Sequence, residues 1–414
     1  MPAPLRHLAP AGAPISIADL ARWATTTWSP GASSEQLGGL LQERFGMRNV
    51  VLTSTGRAGM TVLLRAMRRL SPTRDEVVLP AYTCYSVAAS VLKAGLRPRI
   101  LDISPRTLDY AAPDATDYSR VLAIVATNLY GLPNDLPALS ALAKRHGVFL
   151  VDDAAQSMGA TIGGRDSGTW GDVGVFSFDK GKNVSAIDGG ALLTNSDTLA
   201  EAIRDEMAGC QTPPLSTSIA HVVKAVAYSM LLRPWLYGLP ARIPQLGLGR
   251  TPFTTDFPLA QADPALVRLG GGQIRHLDAF TETRVANARI LIDELRSLGQ
   301  VRTVRPLAGS TPVYLRLPIL FDSRRGRDAA LDALTKAGLG ASGSYPGSIR
   351  EIAEVQQVLA NPLEEADGGR HVAERILTLP THPFVTRRDI ARMVSVMADV
   401  GSRHAVDSRM VEQA

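Results

Sequence analysis

Val50-Val51-Leu52-Thr53-Ser54-Thr55-Gly56-Arg57-Ala58-Gly59 opens the stretch that decides the fold. A short apolar, β-branched run ends in small polar residues, and an apolar segment of helical period follows over residues 58–70. That is strand, tight turn, helix, and the unit recurs. Val77-Val78-Leu79-Pro80 leads to a predicted helix over 86–94 and a strand over 98–102. Residues 121–127 read as strand, 136–147 as helix and 148–151 as strand. Strands alternating with helices of this kind predict βαβ units around a mostly parallel sheet buried on both faces. The fold class is therefore α/β. Two further short strands are expected at 173–178 and 191–194.

On the N-terminal side, a helical pattern runs over 17–28 and stops at Ser29-Pro30-Gly31. Ser33 or Ser34 then reads as the cap of a helix ending at Phe45. Beyond 194 the texture changes. A helix over 198–208 leads into a Pro-rich stretch without clear period, 211–264, and a long helix is expected over 273–298. The last third reads as a strand (313–320), a helix (327–337), a Gly/Ser-rich segment (338–348) and a final helix (388–400). This smaller α+β pattern places a domain boundary near residue 262, giving domains 1–262 and 263–414. No internal repeat is visible.

The chain has 414 residues, with 44 basic and 39 acidic side chains, a net charge of +5, and 45% hydrophobic residues. Such a chain can bury a large core, which argues against disordered, collagenous or disulfide-stapled classes. The two cysteines, Cys84 and Cys210, lack C-x-x-C spacing, and the seven histidines show no metal-ligand spacing, so no metal site is expected. Basic residues run singly, which argues against nucleic acid. The N-terminus lacks the apolar core of a signal peptide. The most membrane-like stretch, 221–240, is interrupted by Lys224 and Arg233, short of the roughly 20 apolar residues of a spanning helix. A soluble, cytoplasmic protein without a transmembrane segment is expected. Residues 220–250 mix Trp235, Tyr228, Tyr237 and many leucines with Lys224, Arg233, Arg242 and Arg250. They read either as a membrane-surface element or as a helix and loop packed over the active site or a dimer interface.

Three segments carry chemistry. Small residues over 53–59, between strand and helix, let the backbone approach a ligand, and the helix N-terminus favours an anion such as phosphate. Asp152-Asp153-Ala154-Ala155-Gln156 follows an apolar strand, at the sheet edge where α/β ligands bind. Lys180 and Lys182 lie between the strands at 173–178 and 191–194, and a partly desolvated lysine can attack a carbonyl. Singly, each reads as an ordinary turn, a helix cap or a solvated loop. Together they supply a phosphate cradle, a carboxylate and an amine, the set that pyridoxal 5′-phosphate requires.

The motifs then resemble a known family. Asp75-Glu76-Val77-Val78-Leu79-Pro80-Ala81-Tyr82-Thr83, Val151-Asp152-Asp153-Ala154-Ala155-Gln156, Gly171-Asp172-Val173-Gly174-Val175-Phe176-Ser177-Phe178 and Lys182-Asn183 stand in order and spacing. They are similar to the pyridoxal-phosphate-dependent sugar aminotransferases of the DegT/StrS type, within fold type I. The likeness is strong over 50–194 and fainter to residue 400.

The resemblance implies a large cofactor domain with a mostly parallel sheet and a smaller C-terminal domain. It implies an enzyme that moves an amino group, from L-glutamate, to a keto group of a nucleotide-linked sugar or similar scaffold. Such chemistry serves cell-surface polysaccharide or secondary-metabolite biosynthesis, and the family works as a homodimer with sites at the interface. Carried over by motif, Lys182 is the Schiff-base lysine and proton carrier, with Lys180 the competing candidate. Asp153 faces the pyridine nitrogen and Gln156 the ring hydroxyl. Gly56, Arg57 and Ser177 contact the phosphate. The family's ring-stacking aromatic falls at Cys84, with Tyr85, ahead of Tyr82, as substitute. Arg57 replaces the usual threonine of the phosphate turn. The family's segment that reaches a neighbouring subunit is not recognisable within 211–264. A related branch carries histidine at the lysine position and removes a hydroxyl; Lys182 argues against it. Other pyridoxal chemistry, or a non-catalytic cofactor-binding regulator, are the alternatives.

Overall fold

In the computed structural model, residues 6–25, 30–241 and 252–412 are described. The chain runs α1 (Ile17–Thr25), α2 (Pro30–Phe45), β1 (Asn49–Thr53), α3 (Gly56–Leu70), β2 (Glu76–Pro80), α4 (Tyr85–Lys93), β3 (Arg97–Leu101) and β4 (Val121–Thr127). It continues with α5 (Leu136–His146), β5 (Phe149–Asp153), β6 (Thr161–Ile162), β7 (Arg165–Asp166), β8 (Val173–Ser177), β9 (Gly190–Thr194), α6 (Asp197–Ala208), α7 (Leu215–Leu231) and α8 (Pro234–Ala241). The remainder is α9 (Pro264–Gln273), α10 (Leu277–Leu295), β10 (Val301–Thr303), β11 (Ser310–Thr311), β12 (Arg316–Phe321), α11 (Arg324–Lys336), α12 (Ala353–Gln356), α13 (Asp367–Arg375), β13 (Ile376–Pro380) and α14 (Arg387–Glu412).

Seven strands form the central sheet in the order β1-β9-β8-β5-β4-β2-β3. All run parallel except β9, which pairs antiparallel with both β1 and β8. The sheet is buried on both faces, as continuous apolar strands require. Along β4, Leu122 and Val125 join the core beneath α3, while Ile124 and Ala126 join the one beneath α5. A second sheet, β10-β12-β13, is antiparallel and shares the larger core through Leu317, Ile319, Leu377 and Leu379. The α/β expectation therefore holds.

Three local readings differ from the structure in detail. The second helix is described over Pro30–Phe45, so Ser33 and Ser34 lie inside it and not at its N-cap. The first helix is described to Thr25, and Trp28 and Ser29 lie outside the described residues. The stretch 211–264, read as unpatterned, holds the 17-residue helix α7. The long helix expected over 273–298 is α10, Leu277–Leu295, entered through a 3-10 turn at Ile274–His276.

One glycine contact is unforgiving. A Cβ on Gly174 of β8 would overlap the carbonyl oxygen of Gly168, a residue at φ +90°. Gly174→Ala is therefore expected to cost about 3 kcal/mol of stability, read as a lower urea midpoint with unchanged slope.

Candidate active site

The sheet register brings the site residues to one edge. Thr53, at the carboxyl end of β1, lies opposite Gly190, and Gly190 lies opposite Ser177 at the end of β8. Asp153, at the end of β5, is in register with Val175 on one side and Thr127 on the other. Turns leave this edge from β1, β4, β5 and β8, where open α/β sheets bind ligands.

The β1 turn leads straight into α3. Thr55 Oγ1 caps the helix by accepting from the Ala58 N–H at 2.9 Å. A Cβ on Gly56 would lie 3.3 Å from Ser177 Oγ, and one on Gly190 would lie 2.8 Å from Gly56 N. The small residues are thus packed against one another, with a helix N-terminus and a hydroxyl beside them. That arrangement suits an anion. The Arg57 guanidinium lies over the Phe257 ring, 4.9 Å from its centroid, where Lys93 Nζ approaches the same ring at 4.7 Å.

The paired acids divide their work. Asp152 is wholly buried and accepts from Asn128 Nδ2, Gly168 N and Trp170 N at 2.8, 2.7 and 3.1 Å. Burial pushes its carboxyl up to about 6 despite these donors. It ties β5 to the loop before β8. Asp153 accepts at Oδ1 from the Ala155 N–H, 3.0 Å away. Burial raises its pKa too, opposed by that N–H and by the charge of Lys182. A buried carboxylate at a sheet edge, with a lysine acting on it, fits a ligand that brings its own cation. Lys180, in contrast, is exposed and pairs with Asp179 at 3.6 Å.

The Lys182 turn is held from behind. Arg284 of α10 is fully buried and has no carboxylate partner among the described residues. Its guanidinium donates to the carbonyls of Asn183 (2.9 Å), Gly12 (3.1 Å) and Lys182 (3.4 Å). Burial lowers its pKa to about 10, so it stays charged. The N-terminal segment beside it is pinned as well: Leu8 N donates to Gly338 O at 2.8 Å, and Ala9 O sits 2.9 Å from His382 Nε2. Arg284→Met leaves three carbonyls without their donor. It is expected to cost about 2 kcal/mol, measured by urea unfolding, with Arg284→Lys recovering part of the loss.

A tyrosine cluster closes the other side. Gln156 accepts from the Tyr130 N–H at 3.1 Å and donates to Tyr345 Oη at 3.0 Å. The Tyr345 ring stacks on Tyr85, centroids 6.0 Å apart, and Tyr85 Oη donates to Gly347 O at 3.3 Å. Tyr82 is fully buried, its hydroxyl 3.4 Å from that of Tyr130. Burial raises the phenols of Tyr82, Tyr85 and Tyr345, keeping them protonated.

Gly56 and Ser177 thus meet directly, Lys182 acts on Asp153, and Gln156 reaches Tyr85 through Tyr345. The Arg57 guanidinium lies apart, on Phe257. Sequence reasoning missed Asn128, Tyr130, Tyr345 and Arg284. Among the described residues no group of three or more His, Cys, Asp or Glu could hold a metal ion.

Comparison with known proteins agrees with this geometry. The profile of the DegT/DnrJ/EryC1/StrS aminotransferase family matches residues 17–230 and 262–398. A UDP-N-acetyl-3-dehydro-alpha-D-glucosamine 3-aminotransferase of Acidithiobacillus ferrooxidans is 28% identical over 85% of this chain and 84% of its own. A UDP-2-acetamido-2-deoxy-3-oxo-D-glucuronate aminotransferase of Pseudomonas aeruginosa is 28% identical over 76% of this chain and 77% of its own. Among solved structures, Helicobacter pylori PseC, an aminotransferase of pseudoaminic acid biosynthesis, superposes with a TM-score of 0.78. The two chains are covered to 96% and 100% at 16% identity, a likeness of fold.

Proposed function

The chain belongs to the DegT/DnrJ/EryC1/StrS aminotransferase family and is a pyridoxal-phosphate-dependent aminotransferase; on that premise we propose that it moves an amino group from L-glutamate to a keto group on a nucleotide-linked sugar. The observation that carries this reading is the sheet register that brings buried Asp153, Ser177 and the Gly56 turn to one edge, with Lys182 on the turn that follows β8. The named activities of the two relatives support a nucleotide-sugar acceptor.

Pyridoxal phosphate, when bound, supplies an electron sink that makes the hydrogen on the amino-bearing carbon of a substrate acidic. The chain's own residues do the rest. Lys182 Nζ removes that proton and returns it to the neighbouring centre, as general base and then acid. Asp153 would hold positive charge on the ring nitrogen of the bound group. The Gly56 turn, the N-terminus of α3 and Ser177 Oγ would hold the phosphate, while the Arg57 guanidinium rests on Phe257. Gln156 orients the ring hydroxyl, its amide already fixed by Tyr130 and Tyr345. Tyr85 is our choice to cover the ring.

We also propose a homodimer with sites at the interface and a division of the chain near residue 262. The deciding experiment incubates purified protein and pyridoxal phosphate with L-glutamate and a panel of UDP- and GDP-linked keto sugars. Mass spectrometry of an aminated sugar is the expected result. Failure with every keto sugar, alongside a cofactor spectrum that still responds to glutamate, would redirect the search to other acceptors.

A further inference from the structure

Helix α7 is apolar on two faces: Val222, Ala225 and Tyr228 pack inward against the core, and a second apolar row faces outward. Its inner face carries the polar anchors. Ser218 Oγ donates to Asp263 Oδ1 at 3.0 Å, His221 Nδ1 lies 2.7 Å from Asp263 Oδ2, and the Tyr228 hydroxyl accepts from Ala13 N at 3.3 Å. Its outer face carries Leu215, Ile219, Val223, Val226 and Met230, which are 75%, 57%, 62%, 42% and 55% exposed. Their spacing of four, four, three and four residues draws one stripe along the helix. In α8 the patch continues through Trp235 and Leu239, 69% and 59% exposed. A contiguous apolar surface of this kind marks an interaction site.

The charge around it says what covers it. Residues 207–255 contain no aspartate or glutamate, whereas Lys224, Arg233, Arg242 and Arg250 are cations. Lys224 and Arg233 are exposed beside the stripe. Two copies meeting through this face would bring no acid from this segment to pair the other copy's cations. An anionic lipid surface meets both requirements: headgroup phosphates pair the cations, and the acyl boundary takes the leucine, valine and tryptophan side chains. Among the described residues no helix is long and apolar enough to cross a membrane, so the element would lie on the surface. We propose that α7 and α8 dock this protein on an anionic membrane surface. The site lies outside the sheet edge that carries Lys182, so the proposal stands apart from the amino-transfer reading.

Co-sedimentation of the full chain with vesicles tests it, using phosphatidylcholine with and without phosphatidylglycerol. The expected result is pelleting with anionic vesicles at low salt, much reduced on neutral ones. Lys224→Gln with Arg233→Gln should weaken binding about 30-fold, the loss of two contacts of about 1 kcal/mol each. Ile219→Asp with Val223→Asp should abolish pelleting while circular dichroism and amino-transfer activity persist. No pelleting on anionic vesicles, or pelleting that both double variants leave intact, overturns the proposal. So does a fall in oligomer size caused by Ile219→Asp/Val223→Asp, which would make the face a contact between copies.

Discussion

Lys182→Ala is expected to lower kcat by roughly 10²–10⁴-fold, the span that a positioned general base contributes. Its fold should not change, because the side chain makes no hydrogen bond among the described residues; the turn is held by backbone groups. Lys182 N donates to Asp179 O at 3.2 Å, and Arg284 binds the Lys182 and Asn183 carbonyls. A thermal melt of the variant should therefore overlay that of the parent. Borohydride reduction of the loaded parent, followed by peptide mass mapping, should place the cofactor's mass on the peptide containing Lys182. The variant should show none. Covalent labelling that persisted, on a peptide carrying Lys180, would move the assignment there, despite its exposed position and its partner Asp179.

The second large effect belongs to Asp153→Asn. The change is nearly isosteric, and its amide oxygen can still accept from Ala155 N, so the cofactor-free protein should be as stable as the parent. Burial already opposes the charged form of Asp153, so removing that charge is not destabilising by itself. What disappears is the negative group that holds a cation on the ring nitrogen. A loss of roughly 10²–10³-fold in kcat is expected, the usual cost of one preorganised electrostatic group. Glutamate-driven change in the cofactor's visible spectrum, followed by stopped flow, isolates that half of the reaction. An unchanged rate there would assign Asp153 to structure alone.

The strands and the β1–α3 turn were legible because a buried parallel sheet needs continuous apolar runs, and those runs end in polar residues at the ligand edge. Asp153, Gln156, Ser177 and Lys182 were legible by motif and spacing. Arg284 left a signal that went unread: it interrupts a buried stripe of Leu277, Ala288, Leu291 and Leu295 at helical spacing. Asn128 stands one residue beyond β4, as the acids stand at the end of β5, but a lone amide announces nothing. Tyr345 was not readable, since its tie to Gln156 spans 189 positions and exists only in the folded chain. Helix α7 escaped because apolar residues lie on both its faces, so no single stripe marks its period. In α9, three successive glycines lower helix propensity, yet Gly270 packs against Leu37 of α2, where a Cβ would lie only 3.3 Å away.

The grip of Arg284 on Gly12 has a consequence at the opposite end of the chain. The segment before α1 is clamped between the reactive lysine's turn, Gly338 and His382. Trimming the chain to start at α1 would take away one acceptor of a buried cation and leave an open slot behind the lysine. A tag fused upstream continues into the segment whose far end is part of that same clamp. Kinetic differences between tagged, trimmed and intact preparations then become a probe of how stiffly the lysine is seated.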